Sequence, residues 1–197
     1  MTITWTPRAW AALTVSLMLI AAAIMLVLGT GASQADDGPP PPIRAEPLTE
    51  RHEFTDDVRA QIRAKPDGRP MGVANLRDAS NLAVVEFTID PGAQFPWHTH
   101  PGPVLVAVTE TDEDDPFVFI FDDCIERPYQ AGEAFVDLGT EVHMARNPSE
   151  DQETVLIATI LGAPDAPAGL TVPVDDDKGQ ALDDKCGIER EPVEHEH

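Results

Sequence analysis

Between Gly72 and Gly162 the chain is a succession of short apolar, β-branched and aromatic runs, each closed by turn residues, with no long segment of helical period between them. Residues 82–89 (LAVVEFTI) run into Asp90-Pro91-Gly92, and residues 104–109 (VLVAVT) follow Gly102-Pro103. Residues 117–121 (FVFIF) follow an acidic turn, residues 134–136 (AFV) follow Gly132, and residues 154–160 (TVLIATI) make the last strong run. Runs of this length bounded by Gly, Pro and Asp read as antiparallel strands. At such close spacing they bury their faces by closing on one another as a sandwich or barrel. The chain is therefore expected to be all-β, with one barrel over residues 72–162.

The flanks have a different character. Residues 11–28 carry no charge, and Arg8 is the only charged side chain among the first 35 residues. That length lies between a signal sequence, whose apolar part spans about 7–15 residues, and a spanning helix of about 17–25. Ser33-Gln34-Ala35 puts small residues where a signal is cut, so residues 1–35 read either as a cleaved export signal or as a retained transmembrane anchor. Both readings send everything after Gly29 across a membrane, leaving the domain secreted or anchored outside the cytoplasm. Membrane contact is expected only through residues 11–28. Residues 36–49, with four consecutive prolines, read as a spacer of polyproline II character. Residues 50–71 read as a short helix and its connection, with Thr55 as N-cap, Val58 and Ile62 four apart, and Pro66-Asp67-Gly68 as the stop. Residues 163–197 form an acidic, Pro-rich tail that either wraps the barrel or stays loose.

Charge narrows the partners. With 35 Asp and Glu against 13 Lys and Arg the net charge is −22, and the basic residues are scattered. No basic stripe exists to displace counterions from a polyanion, which excludes nucleic acid. The only two cysteines, Cys124 and Cys186, form an even pair in a chain read as exported, so one disulfide is expected, with a pair of buried thiols as the alternative. The bridge would tie the tail to the barrel just after residues 117–121, stabilising it by about 2–4 kcal/mol.

Two clusters carry chemistry. In the first, Gly92-Ala93-Gln94-Phe95-Pro96-Trp97-His98-Thr99-His100, two histidines lie two apart after a strand and a Gly turn. Side chains at i and i+2 of an extended chain share a face, so both imidazoles point the same way, and Trp97 points to the other face as packing. The second cluster runs from Gly132 to Asn147 and supplies His143 from a later strand. Three such histidines suit a metal with three nitrogen ligands and open positions. The acidic residues 112–115 read as a hydrated hairpin tip, and Glu194-His195-Glu196-His197 as a tail that scavenges metal weakly at best.

These residues resemble the cupin superfamily. Its first motif, G-x5-H-x-H-x3,4-E-x6-G, is matched in register by Gly92, His98 and His100; its second, G-x5-P-x-G-x2-H-x3-N, by Gly132, His143 and Asn147. The resemblance implies a single jelly-roll barrel over residues 72–162, with structural roles for Gly92, Gly132 and Asn147. It also implies metal ligation by His98, His100 and His143 in the barrel mouth, and the ion could be Fe, Mn, Ni, Cu or Zn. The family includes dioxygenases, isomerases, decarboxylases, storage proteins and sugar-binding regulators, so its name does not fix a reaction. Many members pair as homodimers through an edge strand.

The departures bear on the site. The family's glutamate ligand falls at Val104 or Leu105, both aliphatic, and the motif's Pro and Gly are Leu138 and Thr140. The fourth ligand is missing from its place. Gln94 and Glu141 share strand parity with the histidines and, with Val104, are candidate pocket residues. Two functions follow: an exported metal-dependent cupin, dioxygenase-like or isomerase-like, acting on a small organic molecule; or a non-catalytic binding or envelope-associated module that uses the same mouth without metal.

Overall fold

The computed structural model describes residues 42–77, 81–163 and 169–190. The expected signal or anchor lies outside the described residues, and no helix among them is long and apolar enough to cross a membrane.

The elements in chain order are β1 (Ile43–Pro47), β2 (His52–Glu53), β3 (Ala60–Ala64), β4 (Gly72–Leu76), β5 (Asn81–Ile89), β6 (His98–Thr99), β7 (Val104–Glu110), β8 (Phe117–Phe121), β9 (Glu126–Tyr129), β10 (Ala134–Asp137), β11 (His143–Arg146), β12 (Thr154–Leu161), β13 (Val172–Pro173) and α1 (Asp176–Cys186). One sheet runs β1-β5-β12-β7-β10, with β2 also on β5, and a second runs β13-β6-β11-β8-β9. The antiparallel pairs β5·β12, β6·β11, β7·β10 and β8·β9 are nested, the first strand with the last and so inward. A long hairpin rolled up on itself has this order, which makes the fold an eight-stranded jelly roll.

Alternation builds the core. In β12 the residues alternate between buried and half-buried, so Thr154, Leu156, Ala158 and Ile160 face inward. They meet Val104, Val106 and Val108 of β7 and, across the barrel, Phe117, Phe119, Phe121 and Ala145. Strand β8 is buried at every position. A strand apolar on both faces needs cover on both. Its outer face supplies Val118 and Ile120 to a second cluster with Trp97, Met144 and Leu182, the last from α1.

The sequence expectations for the flanks require three corrections. Of the spacer expected over residues 36–49, Ile43–Pro47 is strand β1, paired with β5 in register Ile43↔Ile89 to Pro47↔Val85. Its proline falls at the last strand position on the sheet edge, where no ladder donor is lost. Arg44 anchors it to Asp90 at 2.5 Å and Glu153 at 2.6 Å. The helix expected within residues 50–71 is absent: β2 and the hairpin β3–β4 occupy that stretch, in register Ala60↔Leu76 to Ala64↔Gly72. Val58 and Ile62 are an even number of residues apart, a spacing that fits a period of two as well as one of 3.6. Ala60, Ile62 and Ala64 are half-buried while Gln61 and Arg63 are exposed, and Pro66-Asp67-Gly68 is part of the hairpin connection, not a helix stop.

The tail expected over residues 163–197 wraps the barrel in its described part and contains a helix. Strand β13 pairs with β6, in register Val172↔Thr99 and Pro173↔His98. Helix α1 follows, capped by the Asp175 carboxylate, which accepts from the Lys178 N–H, and closed by Gly187 at φ 65°. Asp183 holds it down: its carboxylate accepts from the Trp97 indole at 2.7 Å and from the Arg190 guanidinium at 2.7 Å. The Cys124–Cys186 disulfide fixes the end of α1 to the turn after β8.

Candidate metal centre

His98 and His143 are direct cross-strand partners on β6 and β11. His100 leaves the end of β6, where its N–H donates to the Gly139 carbonyl at 2.8 Å. All three imidazoles converge at the barrel mouth. His98 and His143 are buried, and the His100 side chain is 13% exposed.

Each ring spends one nitrogen on the backbone. His98 Nδ1 bonds the Pro96 carbonyl at 2.7 Å, His100 Nδ1 the Leu170 carbonyl at 2.7 Å, and His143 Nδ1 the Glu141 carbonyl at 2.9 Å. A carbonyl only accepts, so each Nδ1 carries a proton and each ring turns its Nε2 inward. His98 Nε2 lies 3.2 Å from His100 Nε2 and 3.1 Å from His143 Nε2. Between unprotonated nitrogens those contacts are not hydrogen bonds. Adding a proton is resisted: burial pushes both His98 and His143 down to about 3, with a neighbouring imidazole adding to the effect in each. Donors about 2.0–2.1 Å from one ion stand roughly 2.9–3.4 Å apart at angles of about 90–109°. The separations of His98 from His100 and from His143 fit that range, and the ligand nitrogens of all three lie within 4.8 Å of one another.

A fourth group enters the same space. Asp137, at the end of β10, is 1% exposed. Its Oδ1 accepts the Gly139 N–H at 2.9 Å. Its Oδ2 is buried without a hydrogen-bond partner, 3.5 Å from Nε2 of both His100 and His143. Burial drives its pKa up, against the Gly139 N–H that lowers it. Gly139 makes this turn at φ 87°, and a Cβ there would strike the Gly102 carbonyl. Sequence reasoning did not find Asp137. The available signal was the second motif itself, where Leu138-Gly139-Thr140 shifts the turn glycine one place earlier than the family pattern.

The other candidate residues separate. Val104 is buried, lines the cavity and is the cross-strand partner of Asp137. Glu141 contributes only its carbonyl, because its carboxylate pairs with Arg69 at 2.5 Å. Gln94 lies outside the cavity, its amide donating to the Glu189 carbonyl at 3.1 Å and its backbone bridged to Arg146. The strand parity assumed for it fails because the chain bends between Phe95 and Trp97: Phe95 faces the cavity, as do His98 and His100. Asn147 is fully buried, its amide donating to the carbonyls of Ile89, Asp90 and Gln152, so it stitches three loops together. Gly92 and Gly132 sit at φ 72° and 87°, where backbone conformation and not space asks for glycine.

Beneath the histidines lies a cavity of about 60 Å³ walled by Phe87, Phe95, Phe117, Phe119 and Phe135 with aliphatic neighbours. Phe119 stacks on His143 at 4.7 Å between centroids and fixes its ring plane.

No family model and no curated protein matches the sequence. Among solved structures, the chain is similar to a cupin domain from Bordetella pertussis Tohama I, at 17% identity over 55% of this chain and 97% of that one, with a TM-score of 0.36. It is similar to a cupin-like protein from Thermotoga maritima, at 22% identity over 51% and 72%, with a TM-score of 0.39. It is also similar to the polyketide cyclase RemF from Streptomyces resistomycificus, at 18% identity over 50% and 66%, with a TM-score of 0.40. Most of the neighbours named by fold are cupins. The fold is cupin-like. The nested strand order carries that statement, and likenesses at this level leave the activity of this barrel open.

Proposed function

We propose that this chain holds a divalent first-row transition metal ion on Nε2 of His98, His100 and His143 and presents it to a small, largely apolar organic molecule in the barrel. The supporting observation is the convergence of three buried Nε2 lone pairs whose rings have committed Nδ1 to backbone carbonyls. Buried lone pairs at such separations repel unless a cation lies among them. Imidazole donors favour Fe, Mn, Ni, Cu or Zn over calcium and magnesium, which take oxygen. Such an ion supplies Lewis acidity and, if redox-active, electron transfer to oxygen. The protein's own part is to fix the ring planes through the carbonyls and Phe119 and to keep the site dry.

Apart from the histidines, no titratable side chain lines the cavity among the described residues. That favours a reaction driven by the metal, dioxygenase-like or isomerase-like, over one run by a separate acid and base. It also keeps a second reading, a metal-free binding module, well defined: without an ion the barrel offers an apolar cavity with imidazole nitrogens at its mouth. The disulfide supports an exported location, since such bridges persist in oxidising compartments.

The test is elemental analysis of the tag-free full-length chain beside the His98→Ala/His143→Ala variant, both carrying His195→Ala and His197→Ala to silence the terminus. We expect one transition-metal ion per chain, lost in the double variant. Metal that is absent from both, or equal in both, overturns the metal reading and leaves the binding module.

A further inference from the structure

This inference rests on the metal reading above and sharpens it. We infer that Asp137 is the fourth protein donor of the centre, its Oδ2 completing a set of three imidazoles and one carboxylate.

Three features of the structure converge on it. Oδ2 is an acceptor atom with no hydrogen-bond partner, on a side chain 1% exposed, and leaving such an atom unsatisfied is costly unless something else occupies its lone pairs. It is equidistant, at 3.5 Å, from Nε2 of His100 and His143, and both nitrogens carry a lone pair because their Nδ1 protons go to carbonyls. Neither nitrogen makes a hydrogen bond to Oδ2 at that distance. The groups share a focus without bonding to each other, an arrangement that a cation at the focus resolves. Lastly, the carboxylate is aimed. Gly139 N–H holds Oδ1, so Oδ2 is the oxygen left to point inward, and the left-handed turn at Gly139 also presents the carbonyl that receives the His100 N–H. One turn orients the carboxylate and pins the backbone of His100.

The position explains the missing glutamate. Val104 occupies the place where the cupin pattern calls for a carboxylate on β7, and Asp137 is its cross-strand partner on β10. Neighbouring residues on adjacent strands present their side chains to the same face, about 4.5–5.5 Å apart at Cβ. A shorter side chain one strand over therefore reaches the same focus. With Asp137 ionised, a bound dication keeps one net positive charge, not two.

The experiment compares the full-length chain with its Asp137→Asn and His143→Ala variants. Zn(II) affinity is read by chelator competition, the Co(II) d–d spectrum reports the donor set, and thermal unfolding is followed without metal. Asp137→Asn keeps the acceptor for Gly139 and removes only the charge and the free carboxylate oxygen. We expect it to weaken Zn(II) binding by about tenfold or more, to change the Co(II) spectrum, and to leave the metal-free melting temperature equal or raised. An Asp137→Asn chain that binds Zn(II) as tightly as wild type, with the same Co(II) spectrum, overturns the inference while leaving the three-histidine site standing. A variant that melts lower without metal shows a structural role for the carboxylate and overturns it too. Should the wild-type chain itself bind no Zn(II), or bind as His143→Ala does, the metal reading falls and this inference with it.

Discussion

The mouth and the interior of the barrel are lined by different strands and by opposite chemistry. At the mouth, strand ends of β6, β10 and β11 deliver buried polar groups whose remaining hydrogen bonds all go to backbone. Deeper in, β7, β8 and β12 deliver mainly aliphatic and aromatic side chains. Interior packing can be satisfied by many sequences of suitable volume. The mouth has no such latitude, because a buried polar atom must meet a specific partner. The difference teaches that the fold's stability belongs mostly to the interior, and its function to a few positions at the rim.

The largest expected effect separates the two regions. Phe117→Ala, at a buried position away from the histidines, should cost about 3–5 kcal/mol in denaturant unfolding while the folded fraction keeps its metal stoichiometry. Loss of metal in step with stability would show that mouth and interior are one unit. Next comes the clamp. Replacing both cysteines with serine should cost about 2–4 kcal/mol and also weaken metal binding, since the disulfide-tied segment carries the Leu170 carbonyl that orients His100. A stability loss without any change in affinity would separate the segment from the site.

Acid should act on the mouth. Unfolded imidazoles take up protons below their ordinary value of 6.5, whereas folded His98 and His143 resist down to about 3, so the metal-free protein loses stability as pH falls through that interval. Asp137 opposes this, because its raised pKa lets the folded state take its proton first and stabilises the fold as pH falls toward the ordinary carboxyl value of 3.8. Where all three groups act, two histidines against one carboxylate leave a net slope of about 1.4 kcal/mol per pH unit, measurable as melting temperature against pH. The interior variant Phe117→Ala should follow the same slope from a lower start. The smallest effect concerns Glu141. Since only its carbonyl serves the site, Glu141→Gln should leave metal affinity unchanged and shift stability by no more than about 1 kcal/mol through the half-exposed Arg69 pair.

Legibility in the sequence followed the same division. The long strands were readable because turn residues bound them: residues 82–89, 104–109, 117–121 and 154–160 correspond within a residue to β5, β7, β8 and β12. The histidine trio was readable because i, i+2 spacing and a second motif are local patterns. Asp137 was not, because its relation to the site runs through the register of β10 on β7, to which the shifted turn glycine Gly139 is only an indirect local sign. Gln94 was misplaced for a related reason: parity persists only along a regular strand, and the chain between the isolated bridge at Gln94 and β6 is irregular, with a bend at Trp97. Helix α1 was missed because few apolar residues mark its buried face; Leu182 and Cys186 touch the second core cluster. Its caps, Asp175 and Gly187, were legible signals obscured by an acidic, Gly-containing stretch. The misread helix at residues 50–71 shows the converse, an even spacing compatible with two periods and decided only by the partner strand β4.

The central claim is that three buried imidazoles turn unprotonated Nε2 atoms toward one ion. Long-range proton–nitrogen NMR of the histidine rings in the nitrogen-15-labelled full-length chain reads it directly, before and after one equivalent of Zn(II). The account predicts the Nδ1–H tautomer for His98, His100 and His143 without metal, and a large shift of all three Nε2 resonances when it is added. A proton on Nε2 of any of the three, or Nε2 resonances that ignore the ion, would contradict it.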